Sequence, residues 1–238
     1  MGGRIYRPET SGVALLELPE IGRLHVGMKS DKGYPMSIDW FRATGKYAAL
    51  FAKALGEKPS TIQIVFPSDD AGKVCNERYE YRDDKGALVA RGDGQVFEVW
   101  DGRGYVPYMV DQYPDIMRQI TAKNPTKRGD DNWDVVLTLR FVVPAVRGVV
   151  GVWQFSTKGK ASSVRNIRES FDAVQRMRGT VTQTVFDLSV QFAKSNKPNT
   201  NSRYPVVSLI ANDTRIDEIR AVIAPTQNLS LLLPDRKK

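Results

Sequence analysis

The sequence predicts an α+β protein made of two strand-rich halves, each an antiparallel sheet packed with one helix. Several short segments in both halves alternate polar and apolar residues, as half-buried strands do. One stretch in each half instead repeats its apolar residues at helical spacing, and glycines and prolines break the chain between the halves. The shared order of strands, helix and strands makes an internal duplication one explanation of the pattern.

The first half is expected to span residues 21–110. The preceding arm, residues 1–20, contains two prolines and no sustained period, which predicts an extended segment able to dock on a neighbouring subunit. Alternation of polar and apolar residues predicts the strands of this half. They cover residues 23–28, 61–66, 77–82, 88–91 and 95–100.

A half-buried segment and a helix separate the first two of these strands. Bulky residues at positions 38–45 indicate the half-buried segment. Apolar side chains then recur at helical spacing at Tyr47, Leu50, Phe51 and Leu55, and Gly56 with Pro59 is placed to end the helix.

Residues 111–132 are expected to form an irregular linker, because glycine and proline recur there and only residues 113–123 indicate a short helix. The second half, residues 133–212, begins with a strongly apolar strand, and residues 213–238 form a tail. The predicted strands of this half cover residues 133–143, 148–156, 185–192 and 206–210.

The clearest helix of the chain lies in the second half. Ser162 or Ser163 is placed to cap its start, and Gly179 is placed to end it. Its apolar stripe consists of Val164, Ile167, Phe171 and Val174.

Composition indicates an ordinary globular protein, expected in the cytoplasm. Hydrophobic residues make up 41% of the chain and charged residues 26%, which favours a folded core over disorder. No apolar run approaches the ~20 residues that cross a bilayer, and the first residues lack the apolar stretch of a secretion signal.

The chain has one cysteine, Cys75, and one histidine, His25, which restricts its chemistry. A disulfide within the chain and a tetrahedral zinc site of cysteines and histidines are both excluded. A cysteine–histidine catalytic pair would require these two residues to meet, whereas we expect Cys75 to be buried and His25 to lie on a strand. We therefore predict no catalytic residue, no bound metal and no cofactor.

The formal net charge is +8, so the surface attracts polyanions, and nucleic acid is the commonest of these. An excess of lysine and arginine also serves solubility. Charge alone therefore leaves direct contact with DNA open.

Residues 158–163 place a glycine, lysines and serines before a helix, as phosphate-binding loops do. The spacing does not match G-x-x-x-x-G-K-[ST], so nucleotide hydrolysis is not expected. Lys158, Lys160 and the free N–H groups of the helix start could still hold a DNA phosphate.

The same helix carries arginines away from its apolar stripe, at Arg165, Arg168, Arg176 and Arg178. Guanidinium groups bind phosphates and carboxylates through two parallel hydrogen bonds, which makes this helix face a candidate contact surface. A solvated helix face explains the pattern equally well.

Paired aspartates at residues 69–70, 83–84 and 130–131, the last pair close to Asp134, are the only candidates for a metal or paired-carboxylate site. Each pair lies in a predicted turn, where aspartate is favoured because it bonds its own backbone. The turn interpretation is preferred.

Aromatic residues and arginines alternate in the first half, a mixture that single-strand-binding proteins use for stacking. On the predicted strand 77–82, Tyr79 and Tyr81 share one face. Arg78, Glu80 and Arg82 then share the other face.

The segment Gly151-Val152-Trp153-Gln154-Phe155-Ser156-Thr157-Lys158-Gly159, followed by a helix and by strand 186–190, resembles the recombination directionality factors of phage large serine integrases. Residues 34–44 resemble the early proline-leucine-aspartate-phenylalanine-arginine segment of that family. Residues 91–94 resemble its aspartate-glycine turn, although the cysteines that some relatives carry around this turn are absent here. The resemblance covers roughly residues 22–210.

The resemblance implies a non-catalytic partner that binds a DNA-bound serine integrase and switches it from integration to excision. The hypothesised contacts with the integrase or with DNA are Trp40, Arg42, Lys158, Lys160, Arg165 and Arg168. The alternative is a single-stranded DNA binding or annealing protein of a phage or mobile element, and a metal-dependent hydrolase is a third class. The oligomeric state stays open.

Overall fold

The computed structural model describes residues 18–128, 132–194 and 202–212, with the side chains at positions 160 and 161 left out. The strands of this part are β1 (Glu20–Lys29), β2 (Pro35–Thr44), β3 (Thr61–Val65), β4 (Cys75–Arg82), β5 (Leu88–Gly92), β6 (Val96–Trp100), β7 (Tyr105–Met109), β8 (Trp133–Phe141), β9 (Val152–Thr157), β10 (Val185–Lys194) and β11 (Arg203–Asn212). The helices are α1 (Ala48–Leu55), α2 (Ala71–Val74), α3 (Ile116–Lys123) and α4 (Arg165–Arg178), with a π-helical turn at Lys160–Val164.

The strands form one large and one small sheet, which confirms the mixed α+β class. The large sheet has the order β2-β1-β9-β8-β4-β5-β6-β7, and the small sheet has the order β11-β10-β3. Neighbouring strands are antiparallel except β1 and β9, which are parallel. Both sheets mix strands from the two predicted halves, so the topology differs from one sheet per half and does not show a duplication.

The alternation of polar and apolar residues identifies a strand but not the strands that pair with it. For this reason the sequence predicted one sheet per half, whereas both sheets mix the two halves. Leu24 of β1 lies opposite Phe155 of β9, a pairing between residues far apart in the chain. Residues 1–17 of the predicted arm and the predicted tail at 213–238 lie outside the described residues.

The main core lies between the two sheets. Leu24, Leu139 and Phe155 enter it from the large sheet and are at most 1% exposed. The ring centroid of Phe66 lies 5.1 Å from those of both Phe171 on α4 and Phe186 on β10. These edge-to-face ring contacts pack α4 against the small sheet.

Helix α4 buries the predicted apolar stripe, and Gly179 ends it in the left-handed conformation with φ 73°. The predicted serine cap is wrong. The π-helical turn precedes α4, and Val164 stands at the cap position without a side-chain bond. Ser163 Oγ instead accepts a hydrogen bond from the backbone N–H of Val207 at 2.9 Å, because β11 passes beside this turn.

A second, smaller core lies under α3, within the stretch predicted to be a linker. Ile116 and Ile120 pack against the buried residues Tyr81, Ala90 and Phe97 of the large sheet. Tyr81 Oη donates a hydrogen bond to the carbonyl oxygen of Asn124 at 2.6 Å. Among the described helices, none is long and apolar enough to cross a membrane.

Candidate interaction surface

The two cores lie on the same side of the large sheet, since strands alternate their side chains and Tyr81, Leu139 and Leu24 all point inward. The opposite side, which we call the outer face, carries mostly polar side chains. Those of β4 on this face are Arg78, Glu80 and Arg82, while Tyr81 is buried. The predicted division of this strand into two faces is confirmed.

Four neighbouring strands place a group of polar and basic side chains on the outer face, which we call the cationic strip: Arg23, His25, Arg42, Arg140 and Gln154. Arg42 of β2 lies opposite His25 of β1. Arg23 lies opposite Gln154 of β9, which in turn lies opposite Arg140 of β8. The register alone therefore brings the five side chains together.

Two guanidinium groups of the strip have no carboxylate partner within the described residues. Arg42 reaches only the carbonyl oxygen of Gly27, at 3.4 Å from Nε and Nη2, and Arg140 makes no hydrogen bond or ion pair there. Arg23 is different, because its Nε lies 2.7 Å from Glu20 Oε1. The strip thus carries uncompensated positive charge.

The environment of His25 reflects this charge. Its Nε2 lies 3.0 Å from Thr44 Oγ1. Burial, followed by the positive charges of Arg42 and Arg23, lowers the pKa of the imidazole from its ordinary value. The ring is therefore protonated less readily than an ordinary histidine.

Cys75 cannot pair with His25, because it points into the main core from β4 while His25 lies on the outer face. Burial, with Asp172 and Glu77 nearby, raises the pKa of the Cys75 thiol to about 12. The thiol stays protonated and is a packing residue.

On the adjoining part of the outer face each arginine has a carboxylate partner, although Arg78 and Arg82 share one. Glu80 is 3% exposed and accepts hydrogen bonds from Arg78 Nη2 at 2.7 Å and from Arg82 Nη2 at 2.8 Å. Arg91 pairs with Glu98 on the next strand. Within the described residues, then, the guanidinium groups of the outer face that have no carboxylate partner lie on β2 and β8.

Aromatic rings extend this face toward the sheet edge. Trp100 is 47% exposed, and its ring centroid lies 5.3 Å from that of Tyr105. The guanidinium carbon of Arg91 lies 4.9 Å from the Tyr105 centroid.

The predicted contact residues on the second half are bonded within the fold. Lys158 Nζ lies 2.8 Å from Asp134 Oδ2. Arg165 pairs with Glu169 of the next helical turn at 2.8 Å. Their charges are thus partly compensated before any partner arrives.

The remaining predicted contacts are spread over the fold. Arg168 pairs with Glu77 at 3.1 Å, and the Lys160 side chain lies outside the described residues. Trp40 is half-buried, with Lys58 Nζ 5.0 Å from its ring centroid. Of the six, only Arg42 belongs to the cationic strip.

The helix start at residues 158–163 uses part of its backbone N–H groups within the chain. The backbone N–H groups of Ser162 and Val164 both donate to the carbonyl oxygen of Gly159, at 3.1 and 3.0 Å. The predicted free N–H groups at these two positions are therefore absent, because the π-helical turn uses them.

Sequence reasoning missed Arg23 and Arg140 as surface candidates. The signal for Arg140 was present, since a single arginine between Leu139 and Phe141 in an apolar strand must point away from the core. No local signal placed it beside Arg23, which belongs to a strand more than a hundred residues earlier.

The β1–β2 hairpin adds an apolar element next to the strip. A cleft of about 440 Å³ is lined by Met28, Met36 and Arg42 among others. Tyr34 and Met36 at the hairpin end are 70% and 44% exposed. Exposed large apolar side chains beside a methionine-lined cleft are typical of protein contact surfaces.

In each described aspartate pair one member serves a cap or a turn, while the other, Asp69 or Asp84, accepts a hydrogen bond from a distant loop. Asp70 Oδ1 accepts from the N–H of Gly72 at the start of α2, and Asp83 Oδ1 accepts from the N–H of Ala87. Residues 130–131 lie outside the described residues. Within the described ranges, no three His, Cys, Asp or Glu side chains form a group that could hold a metal ion.

Asp69 clamps the loop after α4, and we expect Asp69→Ala to lower the free energy of unfolding by about 1 kcal/mol. Its Oδ1 accepts hydrogen bonds from the N–H of Val181 at 2.6 Å and of Thr182 at 3.0 Å. Burial raises its pKa, but these backbone bonds and those of the threonine hydroxyls outweigh burial and lower it. Urea unfolding checks the change.

Because the folded-state pKa of Asp69 lies below the unfolded value, its contribution is present above pH 3.8 and is lost as the pH falls further. Asp39→Ala is the control, since Asp39 is exposed and makes no hydrogen bond or ion pair within the described residues. Equal unfolding midpoints for the two variants would contradict the clamp.

Comparison with known proteins relates the chain to a family. A family model described as Gp3-like, Recombination directionality factor-like, matches residues 21–212. This span runs from the second residue of β1 to the last residue of β11. No curated protein and no solved structure matches.

Proposed function

The chain belongs to the Gp3-like, recombination directionality factor-like family, and from this premise we propose that it is a non-catalytic accessory factor of site-specific DNA recombination. In this proposal it binds a serine integrase on its DNA, in the cytoplasm of a phage-carrying cell, and promotes excision. The observation that carries the proposal is a family match that spans both sheets and both cores.

Two features of the molecule support a role through binding. The family is one of accessory factors rather than of catalysts. The hairpin cleft, with Tyr34 and Met36 exposed beside the unpaired Arg42, has the mixed apolar and basic character of a protein contact surface. We therefore place the integrase contact at this hairpin, with Trp40 on the same strand.

The test is a recombination assay in which the purified chain is added to a serine integrase encoded beside its gene. We expect excision between the two hybrid attachment sites only when the chain is present, and a lower rate of integration at the original sites. Excision that proceeds equally without the chain would overturn the proposal.

Variants locate the contact within the same assay. Tyr34→Ser combined with Met36→Ser should abolish both excision and co-purification with the integrase. Val150→Ser is the matched control, since Val150 is 76% exposed on a loop before β9. Charge reversal at Arg165 and Arg168 should reduce excision less, because both arginines already pair with acids of the chain.

A single-stranded DNA binding protein is the second candidate, and the exposed rings of Trp100 and Tyr105 favour it. Aromatic side chains next to an arginine can stack with unpaired bases. Strong binding of single-stranded DNA that Trp100→Ala abolishes would support this candidate.

A further inference from the structure

We infer that the cationic strip binds the phosphate backbone of duplex DNA, next to the integrase contact at the hairpin. The inference deepens the proposed function, because it adds a second contact on the recombination complex. It makes the chain a bridge between integrase and DNA.

The positive charge of the cationic strip is the first reason to expect DNA there. Arg42 and Arg140 have no carboxylate partner within the described residues, and Arg23 has only the exposed Glu20. Arg78 and Arg82 on the same face share the carboxylate of Glu80, and Arg91 pairs with Glu98. In the described part of the chain, an incoming polyanion would therefore find guanidinium groups without a carboxylate partner on β2 and β8, with Arg23 of β1 between them.

The chemistry of the neighbouring side chains favours phosphate over an acidic protein surface. Between Arg23 and Arg140 the outer face presents Gln154, with Ser156 and Thr138 in the next positions of the same strands. Arginine, glutamine, serine and threonine are the side chains that contact DNA phosphates. Protein interfaces instead have an apolar centre, which these outward positions lack.

The width of the strip fits a groove of duplex DNA. Arg42 and Arg140 lie on strands separated by three spacings of ~4.8 Å and are offset by two residues along β1, which puts their Cα atoms about 16 Å apart. The major groove of B-form DNA is roughly 12 Å wide. Two flexible arginines at this separation can reach phosphates on both sides of one groove.

His25 is a reporter inside the strip, and it is the only histidine of the chain. The charged groups that face it are Arg23 and Arg42, with Glu20 further along β1, and β9 offers only neutral side chains. A phosphate bound between these arginines offsets their positive charge. The imidazole pKa should therefore rise when DNA binds.

The experiment is a proton NMR titration of the His25 ring in the full chain, with and without a short duplex oligonucleotide of mixed sequence. We expect a raised imidazole pKa with duplex. Fluorescence anisotropy of the same duplex between ~50 and ~200 mM salt should show affinity falling steeply with salt.

Arg42→Gln and Arg140→Gln should each weaken duplex binding by about fivefold at ~0.15 M salt and lower the salt slope by about one. The matched control is Arg118→Gln, which removes the same charge from an exposed position on α3, on the core side of the sheet. It should change neither affinity nor slope by a comparable amount.

Three outcomes would overturn the inference: an unchanged His25 pKa, equal losses in all three variants, or an equal pKa rise with a polyglutamate peptide, which would assign the strip to an acidic protein surface. Tighter binding of a single-stranded oligonucleotide would assign it to unpaired DNA. None of these outcomes bears on the excision assay, so the proposed function and the DNA contact fail separately.

Discussion

Replacing Gly151 by alanine should lower the free energy of unfolding by about 1–3 kcal/mol, near the upper end of that range. An added Cβ would meet Ile21 Cγ2 and lie 2.6 Å from the carbonyl oxygen of Pro19. That oxygen cannot move away, because it accepts the backbone hydrogen bond of Val152 at 2.9 Å. The methyl group would therefore push β9 away from β1.

Thermal and urea unfolding of the purified variant measure this effect. Gly104→Ala is the matched control, because an added Cβ there meets nothing within 4 Å. If Gly151→Ala unfolds at the same urea concentration as Gly104→Ala, the tight packing of β1 on β9 is refuted.

The close packing at Gly151 is part of a wider feature of the family-like segment, which is that most of its large side chains are buried. Within residues 151–155, Trp153 and Phe155 are at most 1% exposed, and Trp153 packs on Phe51 with ring centroids 5.1 Å apart. Gln154 and Ser156 of the segment point to the outer face. The buried residues of the motif therefore serve the fold, while its outward residues, among them Gln154 and the predicted contact Lys158, stay candidate contacts.

Local pattern predicted those elements whose stability depends on one buried stripe. Helix α4 was predicted with its stripe and its end at Gly179, since both features lie within the helix itself. Its start was not, because Ser163 is used by Val207 on a strand far along the chain. A hydrogen bond between distant segments produces no periodic pattern in the sequence, so it cannot be predicted from one.

Strand β7 shows the same limit. Pro107 and the glycines before it indicated irregular chain, yet Val96–Trp100 and Tyr105–Met109 form a hairpin at the sheet edge. Proline is tolerated there because an edge strand has one side without a pairing partner.

Strand β2 was read only as a half-buried segment, because its burial does not alternate. Residues 38–41 all fall opposite the single residue Val26, a larger irregularity than a two-against-one bulge, and both Ile38 and Phe41 are buried there. The N–H of Phe41 bonds the carbonyl oxygen of Pro59 instead of β1. Arg42 returns to register only after this bulge, so its position opposite His25 could not be predicted from alternation.

The outer face thus combines two electrostatic regimes. Around Glu80 the arginines are held by acids of the chain, while Arg42 and Arg140 are not. A binding surface for a polyanion requires arginines without carboxylate partners, as Arg42 and Arg140 are within the described residues. The arginines that Glu80 holds limit the area of that surface. Removing the carboxylate of Glu80 should therefore enlarge the surface that a polyanion can bind.

Glu80→Gln should lower the free energy of unfolding by about 2 kcal/mol, less than the ~3–5 kcal/mol expected when a fully buried pair is broken. The carboxylate is 3% exposed, whereas the side chains of Arg78 and Arg82 are 32% and 37% exposed and keep part of their hydration. Glu98→Gln is the control, since its pair with Arg91 is 35% and 42% exposed and contributes at most about 1 kcal/mol.

Acid pH offers a second test of the same carboxylate. Burial raises the pKa of Glu80, but hydrogen bonds from Arg82 and Arg78 and their charges outweigh burial and lower it. Its contribution to stability is therefore present above pH 4.5, the unfolded value, and is lost as the pH falls through the lower folded value. Unfolding midpoints of Glu80→Gln should change less than those of the wild type over this range.

The same substitution should strengthen duplex binding while it weakens the fold, because it releases two guanidinium groups beside the cationic strip. Anisotropy titrations should show higher affinity and a steeper salt dependence for Glu80→Gln than for the wild type. A loss of stability accompanied by unchanged DNA affinity would mean that Arg78 and Arg82 lie outside the path of the DNA. Such a result would confine the contact to the strands from β2 to β8.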